Sequence, residues 1–279
     1  MTLGVFPTKP NAVAELFGTD KVVIGVVHLP PLPGSPHYRG TPLDEISRYA
    51  VEEASSYLGG GCHAVIVENH WDIPFLKPGE HGYETAAAMA VVTQRVRDRA
   101  AAPLGVSVLS NAAEWSIAAA WAGGAGFVRV NQWANAYVAN EGLIEGPAAE
   151  AMRYRRAVAA EGVRIFADSH VKHGAHAITA DRSLAELTRD LEWSGADAVI
   201  ATGQRTGDPA AGAELLAIKA ATVLPVLVGS GATAANVAGI LAIADGVIVA
   251  SSLKTGGMWW NAVEPTAAKA FMTAAAPSR

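Results

Sequence analysis

The densest run of ionisable side chains in the sequence is Ala167–His176 (ADSHVKHGAH), which ends a short apolar segment and continues beyond it. Asp168 and His170 are two residues apart, so in an extended chain both point to the same side. A carboxylate beside an imidazole orients the ring and tunes its pKa, as in general acid–base pairs. A lysine near other cations has a lowered pKa and acts as a base, an acid or a Schiff-base nucleophile. The pattern predicts Asp168, His170 and Lys172 as catalytic residues.

Two other interpretations of this segment stay open. Asp168 and His170 are also suitable ligands for a divalent metal, together with Glu68 or His28. Alternatively, the segment is a polar loop whose histidines bind backbone carbonyls, which is the interpretation we favour for His176. The sequence therefore requires no cofactor, but it leaves a divalent metal open and does not fix its ligands.

Polar residues also end or follow most of the other apolar segments. Arg129 lies inside one of them, where an unpaired charge is costly, so it must meet a carboxylate or an anionic ligand. An ion pair with Glu68 or Asp168 is as compatible with this position as a ligand contact. The residues predicted to bind the substrate are His28, Asn69, Arg129, Asn131 and Thr202.

Two clusters of small residues near the carboxyl terminus predict a phosphate site. Glycine lets backbone N–H groups approach an anion, and the start of a short helix adds a positive end. A tight turn at Gly229–Gly231 is the alternative interpretation, and Lys254 is either a counter-charge for the phosphate or a solvated residue. The predicted phosphate-binding residues are Gly229, Ser230, Gly231, Ala250, Ser251 and Ser252.

Eight short apolar runs must position these residues. Each is bounded by Gly, Pro or Asp and lacks polar alternation, which is typical of strands buried on both faces. Amphipathic helical stretches separate the runs. The predicted strands are Val22–Val27, Ala64–Val67, Leu104–Leu109, Gly126–Val130, Val163–Ala167, Ala198–Ala201, Pro225–Val228 and Gly246–Ala250.

Eight strand–helix units in a single domain, residues 1–279, predict a (β/α)₈ TIM barrel, with a doubly wound sheet as the alternative. The segments that lead from strand to helix are long and polar, and active sites of barrels are built from these segments. Glu68 ends the second predicted strand and Asp168 follows the fifth, so both face the same mouth. Glu68 is therefore the fourth predicted catalytic residue.

Composition limits the class of protein. The net charge of −5 argues against nucleic acid as a partner, and the apolar runs are too short to span a membrane. Cys62 is the only cysteine, which excludes an intrachain disulfide and a cysteine-based zinc site. The first ten residues lack the pattern of a secretory signal. We expect a cytoplasmic protein with a small anionic or phosphorylated substrate, and a homo-oligomer stays open.

Several motifs together resemble the BtpA/SgcQ family, in order, over about residues 20 to 265. They are VHLPPLPGSP at 27–36, VENHWDIPF at 67–75, FVRVN at 127–131, EGLIEG at 141–146, ADSHVKHGA at 167–175, TG at 206–207, PVLVGSG at 225–231 and DGVIVASSLKTGG at 245–257. The resemblance implies a phosphate-binding TIM barrel of the ribulose-phosphate-binding type. One branch of that family is associated with photosystem I assembly and another with a bacterial sugar-utilisation operon. Ser107, Ser110, Ser169, Ala250 and the segment 139–142 depart from the family pattern on the predicted active face, which is compatible with a different substrate.

Two main hypotheses of function follow. The first is an enzyme that acts on a small phosphorylated sugar or phosphoribosyl-type compound by acid–base chemistry, as an isomerase, a lyase or an enzyme of glycosidic bonds. The second is a non-catalytic assembly factor that keeps the barrel as a ligand-responsive scaffold. Metal-dependent hydrolysis is a third, since the same polar residues would serve a metal.

Overall fold

The computed structural model describes residues 9–171, 174–202 and 212–276. Within these residues, eight parallel strands pair edge to edge and close into a barrel. The predicted (β/α)₈ barrel is therefore confirmed, and the doubly wound sheet is wrong. In the order of their pairing, the barrel strands are β1 Val22–His28, β2 Ala64–Glu68, β3 Leu104–Ser107, β4 Phe127–Val130, β7 Arg164–Asp168, β8 Ala198–Ala201, β9 Val226–Val228 and β10 Gly246–Val249, which pairs with β1.

Helices follow the strands in the chain and cover the outside of the barrel. Every second strand side chain, such as Val65 and Val106, points outward into a core that includes Met89 and Ile117 of the helices. This apolar layer fixes the helices against the strands. The helices are α1 Ala12–Phe17, α2 Leu43–Gly59, α3 Tyr83–Arg97, α4 Ala113–Gly123, α5 Ala148–Ala157, α6 Leu184–Trp193, α7 Gly212–Ala221, α8 Val237–Leu241 and α9 Pro265–Ala275.

The other strand side chains point into the barrel and form a second, separate apolar cluster. It contains Ile24, Ile66, Phe127, Phe166 and Ile200 among its buried members. Side chains alternate along a strand, so every second residue beyond these ones, toward the carboxyl end of its strand, also points into the barrel. Those positions carry ionisable side chains on four strands, namely His28, Glu68, Arg129 and Asp168.

Aromatic rings fill the lower part of the barrel. The Phe127 and Phe166 rings stack with their centroids 4.7 Å apart, and Phe17 of α1 meets Phe127 edge-on at 5.5 Å. The Phe127 ring also lies where a side chain at position 105 would stand, since a Cβ built on Gly105 would be 2.4 Å from it. The interior below the polar layer is therefore a packed core.

A β-hairpin, β5 Ala136–Ala139 and β6 Gly142–Glu145, lies within the long segment after β4. The sequence analysis treated this segment as a polar loop, and the hairpin was missed. Val138 of β5 also pairs with Ala175 in the segment after β7, through two backbone hydrogen bonds of 3.0 and 2.8 Å. The hairpin therefore ties the loops of β4 and β7 together.

We expect Gly105→Ala to lower the free energy of unfolding by about 1–3 kcal/mol, because the added methyl group overpacks the barrel interior against Phe127. Gly59→Ala is the control, since nothing lies within 4 Å of its Cβ position and alanine favours the end of α2. Denaturant unfolding measures both. Equal effects of the two substitutions would contradict the packing described for Phe127.

Candidate functional site

A cavity of about 120 Å³ opens at the carboxyl ends of the barrel strands. A water needs about 10–15 Å³ measured in this way, so the cavity has room for a ligand of several heavy atoms. All six residues predicted to bind phosphate line it. So do three residues from the other predicted sets, His28, Glu68 and Arg129.

The loops after β9 and β10 form one wall, which we call the cradle and define as Gly229–Ala232 with Ala250–Ser252. Gly229 must be glycine, because a Cβ there would lie 2.5 Å from Ile200 and 3.1 Å from Nη2 of Arg129. Gly231 has a φ of 74°, in the region that favours glycine. The Ser252 hydroxyl donates to the Ala232 carbonyl at 2.7 Å and joins the two loops.

Several backbone donors of the cradle have no protein acceptor. Within the part of the chain that the structure describes, no hydrogen bond is made by the N–H groups of Gly231, Ala232, Ser251 and Ser252. Asn236 holds the first loop from outside by donating to the Gly231 carbonyl at 2.9 Å. Unpaired N–H groups at the wall of a polar cavity are suited to an anion.

The wall beside the cradle, formed at the ends of β1 and β2, carries three side chains, His28, Glu68 and His70, which we call the His–Glu–His trio. His28 and Glu68 are paired residues of β1 and β2, and His70 follows β2 by two residues. Nδ1 of His70 is 3.1 Å from Oε1 of Glu68, and Nε2 of His28 is 3.7 Å from the same oxygen. The two imidazole rings stack with centroids 4.3 Å apart. The ligand atoms of the trio all lie within 4.8 Å of one another.

Burial and charge set the protonation of two members of the trio. Burial, with the neighbouring His70, lowers the pKa of His28 to about 3, so its ring is neutral at pH 7. Burial alone would raise the pKa of Glu68. The hydrogen bond and charge of His70, with the charge of Arg129, outweigh burial and lower the pKa of Glu68 to about 2. Glu68 is therefore ionised at neutral pH.

Trp259, from the segment after β10, covers the trio. Its carbonyl oxygen is 3.0 Å from Nδ1 of His28, and its indole meets the His70 ring at a centroid distance of 4.6 Å. A carbonyl only accepts, so Nδ1 of His28 is the nitrogen that carries the proton. The contact fixes the ring orientation of His28 and leaves Nε2 facing Glu68.

Arg129 and Asp168 form a buried ion pair beside the cavity. Nε and Nη2 of Arg129 donate to the two carboxylate oxygens of Asp168 at 3.1 and 2.9 Å. The Asp168 side chain has no exposed surface, and that of Arg129 is 7% exposed. Burial would lower the pKa of Arg129, but the Asp168 carboxylate raises it above its ordinary value. Of the alternatives for Arg129, the ion pair with Asp168 is the one observed.

His170, which the sequence predicts to be catalytic together with Asp168, is not among the described residues that line this cavity. The prediction that Asp168 and His170 point to the same side requires an extended strand through position 170. β7 ends at Asp168, so the alternation of side chains does not continue that far. His170 instead stacks on His176 at 3.9 Å and lines a separate depression with Thr179 and Arg182. His176 binds the Val171 carbonyl at 2.7 Å, as its interpretation as a loop histidine predicted.

Three other predicted residues are not among the described residues that line the cavity. Asn69 accepts from the Leu109 N–H at 2.7 Å and donates to Asp72 at 2.9 Å, so it organises two loops. Thr202 donates its hydroxyl to the His170 carbonyl. Asn131 is not among the described residues that line the cavity. Lys172 lies outside the described residues.

Lys254 has neither of the two roles considered for it. Its ammonium is buried and 2.7 Å from Oε2 of Glu53 on α2, while Oε1 of Glu53 accepts from the Val263 N–H at 2.8 Å. A buried cation needs such a partner, and the Glu53 carboxylate supplies it. The pair anchors the segment after β10 to the barrel wall.

The sequence analysis did not select His70 and Trp259. His70 is two residues beyond Glu68, so the same spacing that drew attention to His170 was available for it. Trp259 has no comparable signal, because nothing in the segment 255–260 indicates that it folds back over β1 and β2.

A profile of the BtpA family matches residues 19–277. The chain belongs to the BtpA family. An uncharacterised member from Archaeoglobus fulgidus is 46% identical over 239 residues, which cover 86% of this chain and 94% of that protein. The photosystem I biogenesis protein BtpA of Synechocystis is 40% identical over 263 residues, which cover 94% of this chain and 90% of that protein. The resemblance inferred from the motifs is confirmed.

Among solved structures, the barrel of this BtpA family member is similar to thiamine phosphate pyrophosphorylase from Pyrococcus furiosus. The TM-score is 0.54 at 17% identity, and the match covers 91% of this chain and 95% of that one. Similarity at this level of identity establishes the shared fold. Within the described ranges, no helix combines the length and the apolar character needed to cross a membrane. The cytoplasmic location stays a prediction.

We expect Asp168→Asn to lower the free energy of unfolding by about 3–5 kcal/mol, because it leaves the buried Arg129 guanidinium without its carboxylate. Asp44→Asn is the control, because Asp44 forms an exposed pair with Arg95 at 3.8 Å, and such pairs contribute about 1 kcal/mol at most. Denaturant unfolding measures both variants. A loss below about 1 kcal/mol for Asp168→Asn would show that the pair is not needed for stability.

Proposed function

We propose that this protein is an enzyme that acts on a small phosphorylated sugar or phosphoribosyl-type compound. One observation carries the proposal: the same cavity is lined by cradle N–H groups that have no acceptor among the described residues and by the ionisable side chains of the His–Glu–His trio on the neighbouring strands. The cradle would bind the phosphate group at one end of a substrate, and the trio would transfer protons at the other end.

Backbone N–H groups of the cradle would bind the phosphate group. The N–H groups of Gly231, Ala232, Ser251 and Ser252 supply hydrogen-bond donors that cost no side-chain entropy. Arg129 lies at the base of the cradle, beside Gly229. Its charge is shared with Asp168, so it contributes donors and orientation more than net positive charge.

The residues that we propose for proton transfer are Glu68 and His70, in place of Asp168 and His170. Asp168 has both oxygens bound to Arg129, and His170 lines the other depression. Glu68 is ionised and accepts a hydrogen bond from His70, the half-buried member of the trio. A carboxylate–imidazole pair facing a cavity is suited to proton transfer in isomerisation, epimerisation or aldol-type cleavage. A role for Lys172 stays a proposal that concerns residues outside the described ones.

A scaffold in the assembly of a larger complex is the second candidate. The observation that favours it is the name of the Synechocystis relative, a photosystem I biogenesis protein with 40% identity. By contrast, the solved structure with the same fold is named for thiamine phosphate, a phosphorylated compound. The two candidates differ in whether a bound ligand is converted to a product.

We expect Gly231→Asp to weaken the binding of inorganic phosphate at least about tenfold, because its carboxylate repels an anion in the cradle. Gly231→Asn is the matched control, since it places the same strain on a φ of 74° without the charge. Calorimetric titration with phosphate and with sulfate measures both variants. Equal affinity of the two variants would contradict an anion site in the cradle.

Turnover tests the enzyme proposal. Phosphorylated sugars and phosphoribosyl compounds are first screened for those that raise the melting temperature, and these are then incubated with the protein and analysed for products. We expect Glu68→Gln and His70→Gln each to lower turnover about 100-fold, the usual scale for a general acid or base. The control is His37→Gln, since His37 is an exposed histidine outside the described cavity lining. Stabilisation by a ligand without any product would favour the scaffold.

A further inference from the structure

The trio at the ends of β1 and β2 forms a ligand set for a metal ion. We propose that His28, Glu68 and His70 together bind one divalent transition-metal ion of the type that imidazole and carboxylate ligands prefer, such as Zn²⁺, Mn²⁺ or Fe²⁺. The inference deepens the proposed function, and the role of the metal in a reaction rests on it. Binding of the metal itself is measurable without any substrate.

The distances between the ligand atoms suit a single ion. Ligands about 2.1 Å from a tetrahedral metal are roughly 3.4 Å from one another. The observed separations from Oε1 of Glu68, 3.1 Å to His70 and 3.7 Å to His28, lie on either side of that value. Small side-chain rotations would place all three ligands around one ion, once the proton on Nδ1 of His70, which is donated to Glu68 in the absence of metal, has left or moved to Nε2.

The tautomer of His28 is fixed in the form that a metal needs. Nδ1 carries the proton and donates it to the Trp259 carbonyl at 3.0 Å. Nε2 then presents its lone pair toward the Glu68 carboxylate, at a distance too long for a hydrogen bond. A second hydrogen bond from the far nitrogen to a backbone carbonyl is the usual support of a metal-binding histidine. Without a cation, the lone pair and the carboxylate repel each other.

Charge around the trio also favours a cation. Two basic side chains near the trio in the described part of the chain have their own carboxylates, since Arg129 is bound by Asp168 and Lys254 by Glu53. Glu68 is 6% exposed, and the described ion pairs give it only the two histidines of the trio as partners. None of the described ion pairs joins Glu68 to a lysine or an arginine, and a buried carboxylate favours a further positive charge. A divalent ion supplies that charge and uses the two neighbouring nitrogens as ligands.

The position of the trio leaves room for a substrate at the metal. Three protein ligands leave coordination positions open, and the trio borders the same cavity as the cradle. A substrate held by its phosphate would present a carbonyl or hydroxyl oxygen to the ion, which polarises it as a Lewis acid. Trp259 packs against both histidine rings of the trio and lines the same cavity.

Titration of the chelator-treated full-length protein with Zn²⁺, Mn²⁺ and Co²⁺, without substrate, tests the proposal. We expect one ion of at least one of these metals per chain by elemental analysis and calorimetry, and visible absorption bands when Co²⁺ binds. His70→Gln and Glu68→Gln should each weaken binding more than about 100-fold, since loss of even a supporting residue costs 10–100-fold. Circular dichroism and melting temperature establish that each variant is folded.

The matched control is His176→Gln, because His176 is likewise stacked on a second histidine, in the other depression. It should bind the metal as the unmodified protein does. A chain that binds none of the three ions, or that loses binding through His176→Gln and keeps it in His70→Gln, would overturn the proposal. The first of these results comes from the unmodified protein and does not depend on the folding of any variant.

Failure of the metal site is distinguishable from failure of the proposed function. If Gly231→Asp weakens phosphate binding and no metal binds, the metal inference is wrong and the phosphate-binding enzyme stands. If the metal binds through the trio and Gly231→Asp leaves the affinity for phosphate unchanged, the metal inference is right and the proposed substrate class is wrong.

Discussion

Closure of eight parallel strands into a ring forces every second side chain into a small shared interior. Apolar rings such as Phe127 and Phe166 fill most of that interior, and charged groups are tolerated only where the strands end and the cavity begins. The inward positions at the carboxyl ends, among them His28, Glu68, Arg129 and Asp168, therefore stand in one layer. The register of the strands, more than any single loop, brings these groups together.

The ionisable groups in and around this layer are of two kinds: those fixed in ion pairs with each other, and those of the trio. Arg129 and Asp168 neutralise each other, and Lys254 and Glu53 do the same on the helix side of the segment after β10. Glu68 is left with two histidines, one of them held neutral by burial. The fixed pairs stabilise the walls of the cavity, while the trio retains the capacity to change its charge or to bind an ion.

Much of the fold was predictable from the sequence, because strands buried on both faces read as short apolar runs and the strand-to-helix segments carry the polar residues. His28, Glu68 and Arg129 were predicted at the mouth of the barrel because they end or interrupt apolar runs, and they line the cavity together with the small residues predicted after β9 and β10. Alternation failed for His170, since it holds only while a strand continues and β7 ends at Asp168. Lys254 and Trp259 depend on contacts with β1, β2 and α2 that are distant in sequence, and no local pattern reveals them.

The hydrogen bond from Ser252 to Ala232 has a consequence for the thermodynamics of ligand binding. It joins the loops of β9 and β10, which are otherwise separate segments, and Asn236 braces one of them from behind. Two loops that are fixed to each other lose little conformational freedom when an anion arrives, so the site is preorganised. Little of the interaction energy would then be needed to order the protein, and a ligand of only a few heavy atoms would be enough to bind.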